Sequence, residues 1–259
     1  MSEEAAQLGP FRLAERIGEG GMAVVHRAYH AENRLEVAAK LMTARRASST
    51  AYRRAFRTEV EAAARLDHPH IVTPLDYGML SPQAAAICSL PADTPYIIME
   101  LVDGAPLNRA PTQTWDALLD LLLQLLDALA HAHALGIIHR DLKPGNVLLD
   151  RHSNSVKLTD FGIARSYGHE SPESSAQEDR VTGTPRYMAP EQILADGRSQ
   201  GPWTDLYSLG VMAWRLVCGD TPFDGETTPI LAGHLHQPLP PLGPRFAIPA
   251  RFESWLAGM

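Results

Sequence analysis

Asp141, Lys143 and Asn146 crowd one short stretch of the run GIIHRDLKPGNVLL, Gly136 to Leu149. A loop that only reverses the chain needs turn formers, which Pro144 and Gly145 supply. A carboxylate, an ammonium and an amide beside them need something to hold. Three other stretches carry chemistry of a related kind. Gly18, Gly20 and Gly21 in IGEGGMAVV lie between two β-rich runs, where missing side chains let backbone N–H groups approach a phosphate closely. A strand follows this loop and not a helix, which excludes both the dinucleotide fingerprint and the Walker loop. Lys40 closes the run VAAK, and Glu59 on the next helix-like stretch could hold its ammonium in place. Asp160 in TDFG follows VKL, and a carboxylate ahead of an apolar residue and a glycine suits a metal ligand on a flexible joint. Taken singly, each has a plainer reading: a tight turn, a solvated edge lysine, an Asp-containing turn.

The elements that must position these residues are legible in the periodicity. FRLAERIGEG, MAVVHRAYHA and LEVAAKLMT read as three strands joined by hairpins. Ala51 to Leu66 reads as a helix, IVTPLDYGML as extended chain, SPQAAAICSLPADTP as a loop, and YIIMEL as a strand. After Gly104 the character turns helical, with a helix from about Thr114 to Leu135. Two short strands are expected around HRDLKPGN, then LTDFGIA, then a polar stretch from Ser166 to Arg180 of loop composition. Helical segments are expected around Tyr207–Val217 and Pro249–Ala257. The predicted architecture is α+β, a small β-rich lobe over 1–103 ahead of a larger helical lobe over 104–259.

Composition narrows the partners. The 259 residues are 45% hydrophobic and 20% charged, with a net charge of −7, which points away from bulk binding of nucleic acid or anionic membrane. The local basic run of Arg45, Arg46, Arg53, Arg54 and Arg57 reads as a solvated helix face. Two cysteines are too few for a disulfide framework or a metal site, and a reducing cytoplasm is the expected compartment. MSEEAAQLGPFRL lacks the apolar core of a signal peptide. DALLDLLLQLLDALAHAHALG is interrupted at a helical interval by Asp120, Gln124 and Asp127, so it reads as a buried helix and not a membrane segment.

Taken in order, the glycine hairpin, strand lysine, helix glutamate, HRDLKPGN and DFG resemble the eukaryotic-like (Hanks-type) bacterial serine/threonine protein kinases, from about Phe11 to the last residue. GTPRYMAPE, Gly183 to Glu191, and DLYSLGV from Asp205 extend the likeness. The resemblance implies a two-lobed protein-kinase fold, with ATP and Mg2+ (or Mn2+ in its place) as cofactors and Ser or Thr of a protein as acceptor. By the same resemblance Asp141 accepts or orients the acceptor hydroxyl, Lys143 neutralises charge on the γ-phosphoryl, and Asn146 and Asp160 give oxygens to the metal. Lys40 contacts the α- and β-phosphates, tethered by Glu59, and the three glycines cover the phosphates. Ile17, Val25, Ala38, Met99 and Leu148 form an apolar slot for adenine, with backbone groups of Glu100 and Val102 on the purine edge. Thr184 hydrogen-bonds toward Asp141 and Lys143 in a substrate-docking strip.

The pattern departs from the family in three places. Ala23 replaces a common third glycine. Arg140 implies activation by a phosphate, yet Arg180 stands where relatives carry the phosphorylated threonine. Thr182, Ser174 and Ser175 are the nearby hydroxyls, and Glu178 and Asp179 are the anionic substitutes. Glu191 lacks the later arginine that pairs with it in the family, which implies a chain cut inside its catalytic domain and a loosened docking segment. The expected function is ATP- and Mg2+-dependent phosphorylation of protein Ser/Thr in signal transduction, with autophosphorylation between two copies in a homodimer. Its rivals are a non-catalytic nucleotide-binding module and a small-molecule kinase.

Overall fold

Alternating apolar residues in the first hundred positions build a six-stranded antiparallel sheet in the computed structural model, which describes residues 5–21, 23–43, 49–109, 113–161, 185–194 and 199–258. The strands are β1 (Gln7–Leu8), β2 (Phe11–Glu19), β3 (Ala23–His30), β4 (Glu36–Met42), β5 (Pro74–Met79) and β6 (Pro95–Glu100), in the order β1-β2-β3-β4-β6-β5. Period-two patterning sorts β4 cleanly. Val37, Ala39 and Leu41 enter a buried cluster with Phe11, Leu13, Ala28 and Ile98, which leaves Ala38 and Lys40 on the opposite face. The pairing of β2 with β3 shifts register twice between Leu13 and Gly18, bending the ribbon just before the glycine turn.

Helix α1 (Thr50–Ala63) is N-capped by Ser49, whose hydroxyl accepts from Tyr52 N at 3.1 Å. Its stripe Tyr52, Phe56, Val60, Ala63 is buried, and α1 packs on β5 and β6. It ends earlier than the sequence predicts, since Ala64 to Leu66 close in tight turns. The expected loop after β5 is instead partly helical. Helix α2 (Pro82–Cys88) starts on Ser81, whose hydroxyl accepts from Ala84 N, and its Pro82 sits at a position that needs no N–H. Ala84 and Ala85 seal the buried cluster of the sheet.

The chain divides into two compact units, one comprising Met1–Asp67 and Val72–Val102, the other His68–Ile71 and Asp103–Met259. The second holds a three-stranded sheet, β7 (Gly104–Pro106), β8 (Val147–Asp150) and β9 (Val156–Leu158), in that order. Its helices are α3 (Trp115–Ala134), α4 (Pro190–Ile193), α5 (Pro202–Cys218), α6 (Thr227–His236) and α7 (Arg251–Ala257). The four borrowed residues belong here structurally: Leu158 N donates to His70 O at 2.8 Å, and Ile71 bridges Leu158 in parallel.

The expected strand at Ile137–Ile138 does not form. Gly136, at φ 74°, turns the chain out of α3, and Ile137 N still donates to Ala132 O, so only β8 follows the loop as a strand. Helix α3 is long and apolar enough to cross a membrane. Its Leu118, Leu121, Leu122, Leu125 and Leu129 are nevertheless buried in this unit, and its polar interruptions have partners. Gln124 Oε1 accepts from Val156 N at 2.8 Å, and Asp127 lies 3.2 Å from His68 Nε2.

Candidate active site

The loop between α3 and β8 gathers three of the sequence-predicted catalytic groups of the second unit, Asp141, Lys143 and Asn146, while the fourth, Asp160, follows β9. Lys143 Nζ donates to Asp141 Oδ2 at 2.7 Å, and both side chains are part-exposed. Asn146, buried, donates its Nδ2 to Asp141 O at 2.9 Å and to Asp141 Oδ2 at 3.1 Å, which turns its Oδ1 away from Asp141. Thr159 N donates to Asn146 O at 2.9 Å, so the backbone of Asn146 is tied to the residue before Asp160. An amide oxygen and a carboxylate held on adjacent backbone are hard donors of the kind Mg2+ takes, in small number, when phosphate oxygens supply the rest.

What holds this loop was not legible as a motif. Asp205 of α5 is buried at 1% exposure and accepts from His139 N and Arg140 N, each at 2.8 Å, while its Oδ2 lies 2.7 Å from His133 Nε2. Two residues of the site are in the left-handed region, Arg140 at φ 65° and Asp160 at φ 66°, a conformation that costs an L residue roughly 1–2 kcal/mol. The two backbone N–H bonds that the Asp205 side chain accepts offset that cost at Arg140. His139 reads both sides of the loop. Its Nδ1 accepts from Asp141 N at 3.2 Å, which leaves Nε2–H to donate to Thr159 O at 2.9 Å, and its ring packs on Phe161. His139 and Asp205 both lie in motifs quoted above, yet neither carries a role there, and His133 lies in none of them.

Further described residues gather around positions 185–192. Ser208 donates to Tyr187 O at 2.7 Å, and Arg186 donates to Thr221 Oγ1 and pairs with Asp224. His234 of α6 lies 2.7 Å through Nδ1 from the Tyr207 hydroxyl; burial holds the His234 imidazole below its usual range. Burial first, and the Glu191 charge second, push the Tyr207 hydroxyl up to about 12. Gln192 donates to Arg140 O at 2.8 Å and accepts from Ala189 N at 3.1 Å. Glu191 Oε1 accepts from Thr204 Oγ1 at 2.6 Å, so a hydroxyl of α5 bonds the carboxylate for which the resemblance implies an arginine. Thr182, Thr184, Ser174, Ser175, Glu178, Asp179 and Arg180 lie outside the described residues, and so does the anion expected for Arg140.

Lys40, Glu59, Ile17, the glycines, Val25, Ala38, Met99, Glu100 and Val102 belong to the first unit; Leu148 belongs to the second, in β8. Lys40 pairs with Val25 across β3 and with Ile97 across β6; Ala38 stands opposite Met99. Glu59 shares a face of α1 with Tyr52, whose hydroxyl is pushed up to about 12 by burial and then by the Glu59 charge. The glycine turn is informative for what it does not need. Gly18, Gly20 and Gly21 all avoid positive φ, and an added Cβ would meet only ordinary contacts or open space. The fold's own sterics therefore do not demand them; a closely approaching ligand would.

Residues 11–240 match the model of the protein kinase domain. The chain belongs to the protein kinase family. The kinase is 37% identical over 252 residues to the serine/threonine-protein kinase Pkn1 of Myxococcus xanthus, covering 95% of this chain and 34% of that protein. It is 39% identical over 243 residues to the serine/threonine-protein kinase PknA of Mycobacterium tuberculosis, covering 91% of this chain and 53% of PknA. The chain thus spans between a third and about half of the length of these relatives. Among solved structures, the PknI kinase domain of M. tuberculosis superposes with a TM-score of 0.64 at 27% identity, over 86% of this chain and 80% of that one. The α+β fold with a sheet-based N-lobe and a helical C-lobe is the kinase fold that the motifs imply.

Proposed function

We propose that the chain transfers the γ-phosphoryl group of ATP to a Ser or Thr hydroxyl of protein substrates, with Mg2+. The observation that carries this reading is the Asp141–Lys143–Asn146 cluster on a strained loop gripped by Asp205, with Asn146 tied to the neighbour of Asp160. Such a reaction needs positioning and charge neutralisation more than covalent chemistry. Asp141 orients the acceptor hydroxyl and takes its proton as the hydroxyl oxygen bonds to the γ-phosphorus and the bond to the bridging oxygen of ADP breaks. Lys143, already 2.7 Å from Asp141, faces the negative charge that spreads over the transferred oxygens. Asn146 Oδ1 and the Asp160 carboxylate would hold the metal, which when bound neutralises the phosphate oxygens. Lys40, steadied by Glu59, holds the α- and β-phosphates under the glycine turn, and Ala38 and Met99 offer an apolar surface to adenine.

Names of relatives support Ser and Thr as acceptors, and Lys143 sits where that class carries it. The cytoplasm is its proposed compartment, in keeping with Cys88 and Cys218 as free thiols. Autophosphorylation at Thr182, Ser174 or Ser175 is the proposed switch, read by Arg140. The test is peptide-mapping mass spectrometry after incubation with Mg2+-ATP, with Asp141→Asn as control. Phosphate on the wild type only supports transfer. ATP bound without any transfer, in this chain and in a longer one, would leave a binding module and sink the reading.

A further inference from the structure

The peptide that joins Arg140 to Asp141 is held at both ends. Its N–H, on Asp141, donates to His139 Nδ1 at 3.2 Å; its carbonyl, on Arg140, accepts from Gln192 Nε2 at 2.8 Å. The preceding N–H, on Arg140, is fixed by Asp205. Side chains from two different helices therefore clamp opposite sides of a residue at φ 65°, and the plane they fix aims the Asp141 side chain. Gln192 does a second thing with its other end. Its Oε1 accepts from Ala189 N at 3.1 Å, at the start of α4 and directly after Pro185–Met188. The orientation of the amide is unambiguous, because a carbonyl can only accept and an N–H can only donate.

We propose that Gln192 is a positioning residue for phosphoryl transfer, one amide that sets the Arg140–Asp141 peptide and ties it to the substrate-docking strip. This rests on the kinase reading of Asp141 given above. A substrate peptide seated on the strip and the carboxylate that takes its proton then share a single reference point. Misplacing a reacting group slightly is costly in rate, so the link acts on turnover and not on nucleotide affinity. The competing role is a plain helix cap, in which only the bond to Ala189 N matters.

Two substitutions separate these roles. Gln192→Met removes both bonds. Gln192→Glu keeps an acceptor for Ala189 N but, ionised, offers no donor to Arg140 O. The measurements are steady-state kinetics on a Ser/Thr peptide selected as a substrate of the wild-type 259-residue chain, and amide hydrogen exchange of the His139–Leu142 segment. The expected result is a loss of about tenfold in kcat for both variants, with KM for ATP unchanged and faster exchange at Asp141 in both. If Gln192→Glu keeps wild-type kcat and wild-type exchange, Gln192 is only a cap and the inference fails. Absence of phosphate transfer by the wild type, in this chain and in a longer one, sinks the kinase reading instead, and exchange at Asp141 in the two variants still decides whether Gln192 sets that peptide.

Discussion

Arg140 and Asp160 show how single residues are held at the site in conformations they would not choose alone. Asp205 supplies the restraint at Arg140 with two accepted N–H bonds, and Asn has only one side-chain acceptor oxygen. Asp205→Asn should lower stability by about 2–3 kcal/mol, read from urea unfolding, and remove most phosphoryl transfer. Unchanged unfolding would mean that the loop holds itself. His234 gives a pH signature. Its folded pKa lies below the ordinary histidine value because burial outweighs the Arg186 and Pro185 carbonyls that favour the proton. The unfolded chain therefore takes up a proton first, and stability falls as pH drops below about 6.5, down to the folded pKa. His68 shifts the same way, chiefly through burial. Between pH 7.5 and 5.5 the fall in Tm should be smaller for His234→Gln than for the wild type, and equal slopes would exclude His234 as a source. The sequence displayed Asp141, Lys143 and Asn146 because the loop writes them side by side. Asp205 and Gln192 stayed hidden as partners because they reach the loop from 65 and 52 residues away, and no spacing rule covers that distance.

At the scale of elements, strands were easier to read than the breaks between them. β2, β3 and β4 match the predicted runs closely, because one face of the sheet is buried and fixes a period of two. Ser81-Pro82 followed by alanines starts a helix where the composition predicts a loop, since a short helix leaves too few residues for a periodic stripe. The pair Ile137-Ile138 has the composition of a strand, but among the described residues no neighbouring strand offers it a ladder. Gly104 marks the change of character in the sequence for a steric reason: a Cβ there would lie 2.2 Å from the Leu149 carbonyl oxygen, across the β7–β8 pair. Gly104→Ala should destabilise the chain by about 2–4 kcal/mol, measured by thermal or urea unfolding, because a backbone atom must move. Ser49→Ala, which removes the α1 cap, should cost about 1 kcal/mol by the same assay.

At the scale of the whole molecule, autophosphorylation between copies makes a kinetic claim. Wild-type chain mixed with an excess of Asp141→Asn chain should place phosphate on the inactive copy, at an initial rate proportional to the concentration of each. Phosphate confined to the wild-type chain, at a rate per molecule independent of concentration, would show transfer within one chain. A different consequence follows from the residues His68–Ile71, which interrupt one unit to complete the other through Leu158. No single cut of the chain releases either half intact. A gene rearrangement that swapped the first 102 codons for a relative's would also replace the strip lying against β9. A relative's segment should therefore be accepted only where its counterpart of His70 and Ile71 still fits the recipient's β9.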